Sequence, residues 1–199
     1  MRIYLIRHGE TNLNQKECYY GVTDVPLNDK GVQQAVRLSS CFRDTAIDMV
    51  ISSPLKRAVQ TADLVMKGRK PVVKTDDRLC EQDFGIFEGF THRELLQEYP
   101  DEFEKWNRNF SDYRIPGGES FLDVRNRIDD FIRDLPREGT ILLTAHKGTF
   151  GHLAASLAGL PLSGYWNFVF DQDCYSCIDI EDGYAIFRFL NRPPVSFNR

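Results

Sequence analysis

Apolar positions in this chain gather into short runs whose period alternates between strand-like and helix-like. Ile3, Tyr4, Leu5 and Ile6 form a continuous apolar run stopped by Arg7-His8-Gly9-Glu10, the pattern of a buried strand. After a polar loop, Asn28 predicts a helix cap, with Val32, Ala35, Val36 and Phe42 roughly on one face; Gly31 stands where a capping box would place Glu. A second strand is expected over residues 47–51. It runs into Ser52-Ser53-Pro54, where Ser53 suits an N-cap and Pro54 the first helical position, because its missing N–H costs nothing there. Leu55, Ala58, Val59, Ala62, Val65 and Met66 then keep the three-and-four spacing of one buried helix face, and Val72 and Val73 predict a short strand.

Residues 76–118 are less regular. They mix charge with Phe84, Phe87, Phe90, Tyr99, Phe103, Trp106, Phe110 and Tyr113, and are expected to hold short helices around 91–109 in an insertion beside the sheet. Ser120 predicts the cap of a helix with Phe121, Val124, Ile128, Phe131, Ile132 and Leu135 on one face, ended by Pro136. Residues 140–144 read as a strand stopping at Ala145-His146-Lys147-Gly148, after which Phe150, Leu153, Ala154 and Leu157 mark another helix. Residues 174–180 and 184–190 flank Asp182-Gly183, a hairpin signal. Strand, loop and helix thus recur three times. The expected fold class is α/β: a three-layer sandwich with a mostly parallel central sheet, helices on both faces and an antiparallel addition near the C-terminus.

Composition narrows the picture further. With 199 residues, 42% of them hydrophobic, the chain has material for one sizeable core, so 1–199 reads as a single domain whose 76–118 insertion borders the active site. Lys and Arg total 25 against 29 for Asp and Glu, a net charge of -4 that argues against nucleic acid or an anionic membrane as partner. The opening apolar run is too short for a signal peptide and no later run is long enough to span a bilayer, so a cytoplasmic location is expected. The five cysteines are odd in number and scattered, which predicts reduced thiols. Cys174-Tyr-Ser-Cys177 has the spacing of a redox or zinc motif, but it falls in a predicted strand, where positions three apart face opposite sides.

Ligands of open parallel sheets bind beyond the carboxyl ends of the strands, and three such ends here carry unusual residues. The first strand delivers Arg7 and His8, the second delivers Ser53 with Arg57 close behind, and the strand at 140–144 delivers His146. If the three strands are neighbours, two arginines and two histidines converge on one crevice. Guanidinium forks and free helix-terminal N–H groups suit a phosphate. The same cations would repel a metal ion, and no Cys or carboxylate stands at ligand spacing, so neither metal nor other cofactor is expected. A neutral histidine, with one ring nitrogen held by a backbone acceptor, can instead attack phosphorus.

At Leu5-Ile-Arg-His-Gly-Glu-Thr11 the chain resembles the histidine phosphatase superfamily, which includes cofactor-dependent phosphoglycerate mutases and many small phosphatases. Gly21-Val-Thr-Asp-Val-Pro-Leu27, residues 52–62, Glu81-Gln-Asp-Phe-Gly-Ile-Phe-Glu-Gly89, Gly117-Gly-Glu-Ser120 and His146-Lys-Gly148 follow in that family's order. The resemblance implies that His8 becomes phosphorylated, and that Arg7, Arg57 and His146 bind the transferring phosphoryl group. It implies that Glu81 protonates the leaving oxygen and then helps activate water, and that Asn14 and Thr23 contact phosphate or substrate. Lys147 replaces the Gly that most relatives carry after the second histidine and is expected at the substrate. Gly151 stands where many relatives have Arg.

The final quarter is similar to one subfamily, the alpha-ribazole-5'-phosphate phosphatases of cobalamin lower-loop assembly, in Tyr165-Trp-Asn-Phe168 and in residues 171–180. The implied function is a metal-independent phosphomonoesterase acting on a small phosphate ester. The alternatives are a broad-specificity phosphatase, a phosphoglycerate mutase, and a non-catalytic module that binds a phosphorylated ligand. Glu81 and the Glu119 loop are only about 38 residues apart, shorter than the mutase insertion, and every catalytic position of the family is filled. Tyr19, Tyr20, Phe84, Phe87, Trp106 and Tyr113 are the aromatic candidates for stacking on a substrate ring.

Overall fold

The structure, a computed structural model, describes residues 1–194. Its strands are β1 (Arg2–Arg7), β2 (Met49–Ser52), β3 (Val73–Thr75), β4 (Thr140–Ala145), β5 (Tyr175–Glu181) and β6 (Tyr184–Arg192). The helices are α1 (Asn12–Gln15), α2 (Asp29–Ser39), α3 (Lys56–Val65), α4 (His92–Glu98), α5 (Pro100–Arg108), α6 (Phe121–Arg133) and α7 (Lys147–Leu157), joined by short 3-10 turns. The six strands form one sheet in the order β3-β2-β4-β1-β5-β6. β3, β2, β4 and β1 are parallel, while β5 and the β6 hairpin partner run antiparallel at one edge. This is the expected α/β sandwich, and the crossover helices explain it: parallel neighbours need a long connection, which α2, α3 and α6 supply.

Alternation along the strands sorts the core into two faces. Ile3 and Leu5 of β1 and Ile141 and Leu143 of β4 pack with Val124, Ile128 and Phe131 of α6 and Phe150 and Leu153 of α7. The intervening Ile6 and Leu142 point the other way, onto Leu38 of α2, Phe42, and Ala62 and Val65 of α3. Phe87, Leu95, Phe103, Trp106 and Ile115 close a third cluster within residues 76–118. Among the described residues no helix is long and apolar enough to cross a membrane.

Two helices differ from expectation. Asn28 does cap α2, accepting from Gly31 N at 2.9 Å, but the buried face is Gly31, Gln34, Ala35 and Leu38, leaving Val32 and Val36 exposed. The helix is rotated by contacts with the loop after β1: Gln34 Oε1 accepts from Glu10 N at 2.8 Å, and a Cβ on Gly31 would sit 2.1 Å from Glu10 O. That close approach is why glycine occupies the capping-box position. The helix after β2 starts at Lys56, with Leu55 at its cap, rather than at Ser53-Pro54. Ser53 Oγ accepts only a long bond from Leu55 N at 3.4 Å and lies closer, at 2.8 Å, to His146 Nε2. Cys174 lies just before β5 and Cys177 is buried within it.

Candidate active site

β2, β4 and β1 lie side by side and parallel, so their carboxyl ends deliver their loops to one place. The ladders continue one residue past the strands. His8 N donates to Ala145 O at 2.9 Å and Ser53 N to Thr144 O at 2.9 Å, which fixes His8, Ser53 and His146 as neighbours. The His8 and His146 rings have centroids 5.1 Å apart and planes at 59°.

Each ring has one defined contact. A carbonyl oxygen only accepts, so the 2.8 Å contact between His8 Nδ1 and Gly9 O places the ring proton on Nδ1 and leaves a lone pair at Nε2. His146 Nε2 meets Ser53 Oγ at 2.8 Å, while its Nδ1 is buried without a partner. Burial, together with the Arg57 and Arg7 charges, pushes His8 well below the ordinary histidine range. Burial and the Arg57 charge do the same to His146. Both imidazoles are therefore neutral at physiological pH.

Two guanidinium groups flank the rings. Arg57, fully buried on α3, donates from Nη1 to Thr23 O at 3.0 Å and from Nη2 to Gly21 O at 2.6 Å, and lies 4.6 Å from the centre of the Tyr20 ring. Arg7 donates from Nη1 to Phe170 O at 3.0 Å. Nε of each arginine is buried with no partner. Burying an unpaired donor is costly, and two such donors, Arg7 Nε and Arg57 Nε, belong to this one crevice beside the unpartnered Nδ1 of His146, the arrangement an oxyanion would satisfy. Among the described residues no cluster of three or more His, Cys, Asp or Glu side chains is placed to hold a metal ion.

Glu81 enters from the loop after β3. Its Oε2 accepts from Gly148 N at 3.0 Å, at the start of α7, and its Oε1 from Gln82 N at 3.0 Å. The loop is pinned from behind: Arg127 of α6 donates to Glu81 O at 3.1 Å and pairs with Glu119 at 2.9 Å, and Thr149 Oγ1 donates to Cys80 O at 2.8 Å. Lys147 is exposed and, with Glu81 and Gly148, lines a cleft of about 360 Å³ that leads away from the crevice.

Asn14 and Thr23 are held more by the protein than the resemblance alone implied. Asn14 Oδ1 accepts from Thr11 N at 3.1 Å and Gln172 Nε2 at 2.9 Å, and the Thr23 hydroxyl donates to Glu88 Oε2. Of the aromatic candidates, Tyr19, Phe84 and Trp106 line the cleft, whereas Phe87 is core and Tyr20 backs Arg57. Sequence reasoning missed Phe110, Phe121, Tyr165, Trp166 and His152, which complete the cleft. It also missed Glu88, whose carboxylate accepts from Gly21 N at 2.7 Å, Thr23 N at 3.1 Å and Phe84 N at 3.1 Å. Glu88 stood inside a quoted motif, but its spacing gave no sign that it would grip a loop 65 residues earlier.

Known proteins agree with this geometry. The sequence profile of the histidine phosphatase superfamily (branch 1) matches residues 3–193. An adenosylcobalamin/alpha-ribazole phosphatase of Escherichia coli (strain K12) is 36% identical over 194 residues, 96% of each chain. Phosphoserine phosphatase 1 of Hydrogenobacter thermophilus is 29% identical over 96% of this chain and 92% of its own length. The crystal structure of the alpha-ribazole phosphatase from Shigella flexneri superposes with a TM-score of 0.92 at 37% identity, covering 98% of this chain and 100% of that one. With its paired histidines, arginine-lined crevice and near-complete profile match, the chain belongs to the histidine phosphatase superfamily and is a phosphatase.

Proposed function

We propose that this protein, acting as one domain in the cytoplasm, hydrolyses alpha-ribazole 5'-phosphate through a phosphohistidine on His8. The observation that carries the catalytic part is the pairing of a neutral His8, with its Nε2 lone pair free, and two buried unpartnered guanidinium donors beside it. In the first step His8 Nε2 forms a bond to phosphorus as the bond from phosphorus to the alcohol oxygen breaks, and Glu81 gives that oxygen its proton. In the second, water attacks phosphorus, Glu81 takes the proton and the phosphorus–nitrogen bond breaks. Arg7, Arg57 and His146 stabilise charge on the equatorial oxygens, where losing one preorganised donor costs about 2.7–4 kcal/mol. Asn14, Thr23 and Lys147 border the substrate. The substrate part rests on the relatives from E. coli and S. flexneri, both named for alpha-ribazole.

The test is a panel of esters compared by kcat/KM: alpha-ribazole 5'-phosphate, phosphoserine, 3-phosphoglycerate and sugar phosphates. Alpha-ribazole 5'-phosphate is expected to lead, with phosphate released and no 2-phosphoglycerate formed from 3-phosphoglycerate. His8→Ala is expected to abolish both turnover and trapped phosphoenzyme. A flat panel would withdraw the substrate, and phosphate release surviving in His8→Ala would withdraw the mechanism.

A further inference from the structure

Glu81 joins the phosphate crevice to the cleft it lines, and the cleft wall also holds a polar side chain that the catalytic steps do not use. His152 lies one helical turn beyond Gly148 on α7, so it shares the face that presents Glu81's backbone partner. It is buried, yet it lines the same cleft as Glu81 and Lys147. Nδ1 is enclosed with no hydrogen-bond partner. An enclosed bare lone pair is better tolerated than an enclosed unpaired N–H, which places the proton on Nε2, the nitrogen left to face the cleft.

The ring is held rigidly. Its centroid is 4.1 Å from that of Phe121 and 4.9 Å from that of Tyr165. Tyr165 fits there because residue 151 is glycine: a Cβ at that position would lie 2.5 Å from the phenol ring. The departure at Gly151 noted in the sequence therefore makes room for an aromatic wall. Burial also lowers His152 to about 3, so the imidazole stays neutral and offers a donor without a charge. The surrounding faces of Phe84, Trp106, Phe110 and Trp166 favour a flat apolar occupant.

We propose that His152 is a specificity-determining residue, donating a hydrogen bond from Nε2 to an uncharged acceptor on the substrate's leaving alcohol, whose flat ring lies among the aromatic walls of the cleft. This rests on the phosphatase reading above and names the part of the alcohol that is recognised. Such a contact acts on binding of the alcohol and leaves the phosphoryl group untouched.

The experiment compares the unaltered enzyme with His152→Leu, which keeps an apolar side chain in the same packing, and with His152→Gln, which restores a donor. For alpha-ribazole 5'-phosphate, KM is expected to rise about tenfold in His152→Leu with kcat within about twofold, and His152→Gln is expected to recover much of the loss. Inhibition by inorganic phosphate, which has no alcohol, is expected to be unchanged in both. An unchanged KM in His152→Leu, no recovery in His152→Gln, or an equal weakening of phosphate inhibition overturns the proposal. If the unaltered enzyme prefers another ester of the panel, the substrate reading fails, and the same ratios measured on that preferred ester decide the role of His152.

Discussion

Glu81 lies outside any helix or strand, and its position comes entirely from neighbours: Gly148 N and Gln82 N on its carboxylate, and Arg127 on its carbonyl. A carboxyl fixed in this way, with Gly148 on the wall of the cleft, has the placement that the proposed acid role requires. Its proposed role makes a specific demand on leaving groups. An alkoxide is a poor leaving group and needs a proton as the bond to phosphorus breaks, whereas an activated aryl oxide departs unassisted. Glu81→Gln is therefore expected to slow hydrolysis of alkyl phosphates by about 10²–10⁴-fold while p-nitrophenyl phosphate loses far less. Measuring kcat/KM across leaving groups of graded pKa checks this; equal losses throughout would remove Glu81 from the role of acid. Ser53 shows the same dependence on neighbours. The sequence placed it at a helix cap, but its hydroxyl is at His146, where it fixes which ring nitrogen faces the crevice.

At the level of elements, the regular parts of the fold were legible in the chain because their signals are local. The caps at Asn28 and Ser120, the apolar stripe of α6 and the Asp182-Gly183 hairpin each depend on residues a few positions apart. The three strand ends of the site were legible for the same reason: each follows an apolar run. What the chain did not reveal were the tertiary clamps, such as Gln34 rotating α2 and Glu88 holding residues 21–23, since those contacts join distant segments. The Glu88 clamp has a consequence for Arg57. Its two terminal nitrogens bond the carbonyls of Gly21 and Thr23, the same segment whose N–H groups Glu88 accepts. In Glu88→Gln the amide nitrogen faces donors, loosening the segment and with it the guanidinium. Losing charge-assisted bonds of about 1.5–3 kcal/mol each predicts inorganic phosphate inhibition weakened about tenfold or more, with lower stability in urea. Unaltered phosphate affinity in a folded Glu88→Gln protein would show that the clamp does not position Arg57.

Across the whole molecule, three of the four histidines (His8, His146 and His152) are buried with their pKa values depressed below the ordinary 6.5. In the unfolded chain each would take up a proton as pH falls through 6.5, while the folded protein does not. The unfolded state then binds more protons, so stability is full above that pH and declines below it, by about 1.4 kcal/mol per pH unit for each histidine. Asp179 does not obscure this window: held by Arg2 and Arg188, it is lowered from 3.8 to about 2, and its contribution is lost only as pH falls through that lower range. Urea unfolding is thus expected to show a fall of about 4 kcal/mol between pH 7.5 and 5.5. Two of the three histidines face the oxyanion crevice and one does not. A bound phosphate supplies the negative charge that would favour protonation of His8 and His146, so in saturating inorganic phosphate the fall should shrink toward the share of His152 alone, about 1.4 kcal/mol. A pH dependence that is flat without phosphate, or equally steep with and without it, would contradict the placement of these rings around a single anion.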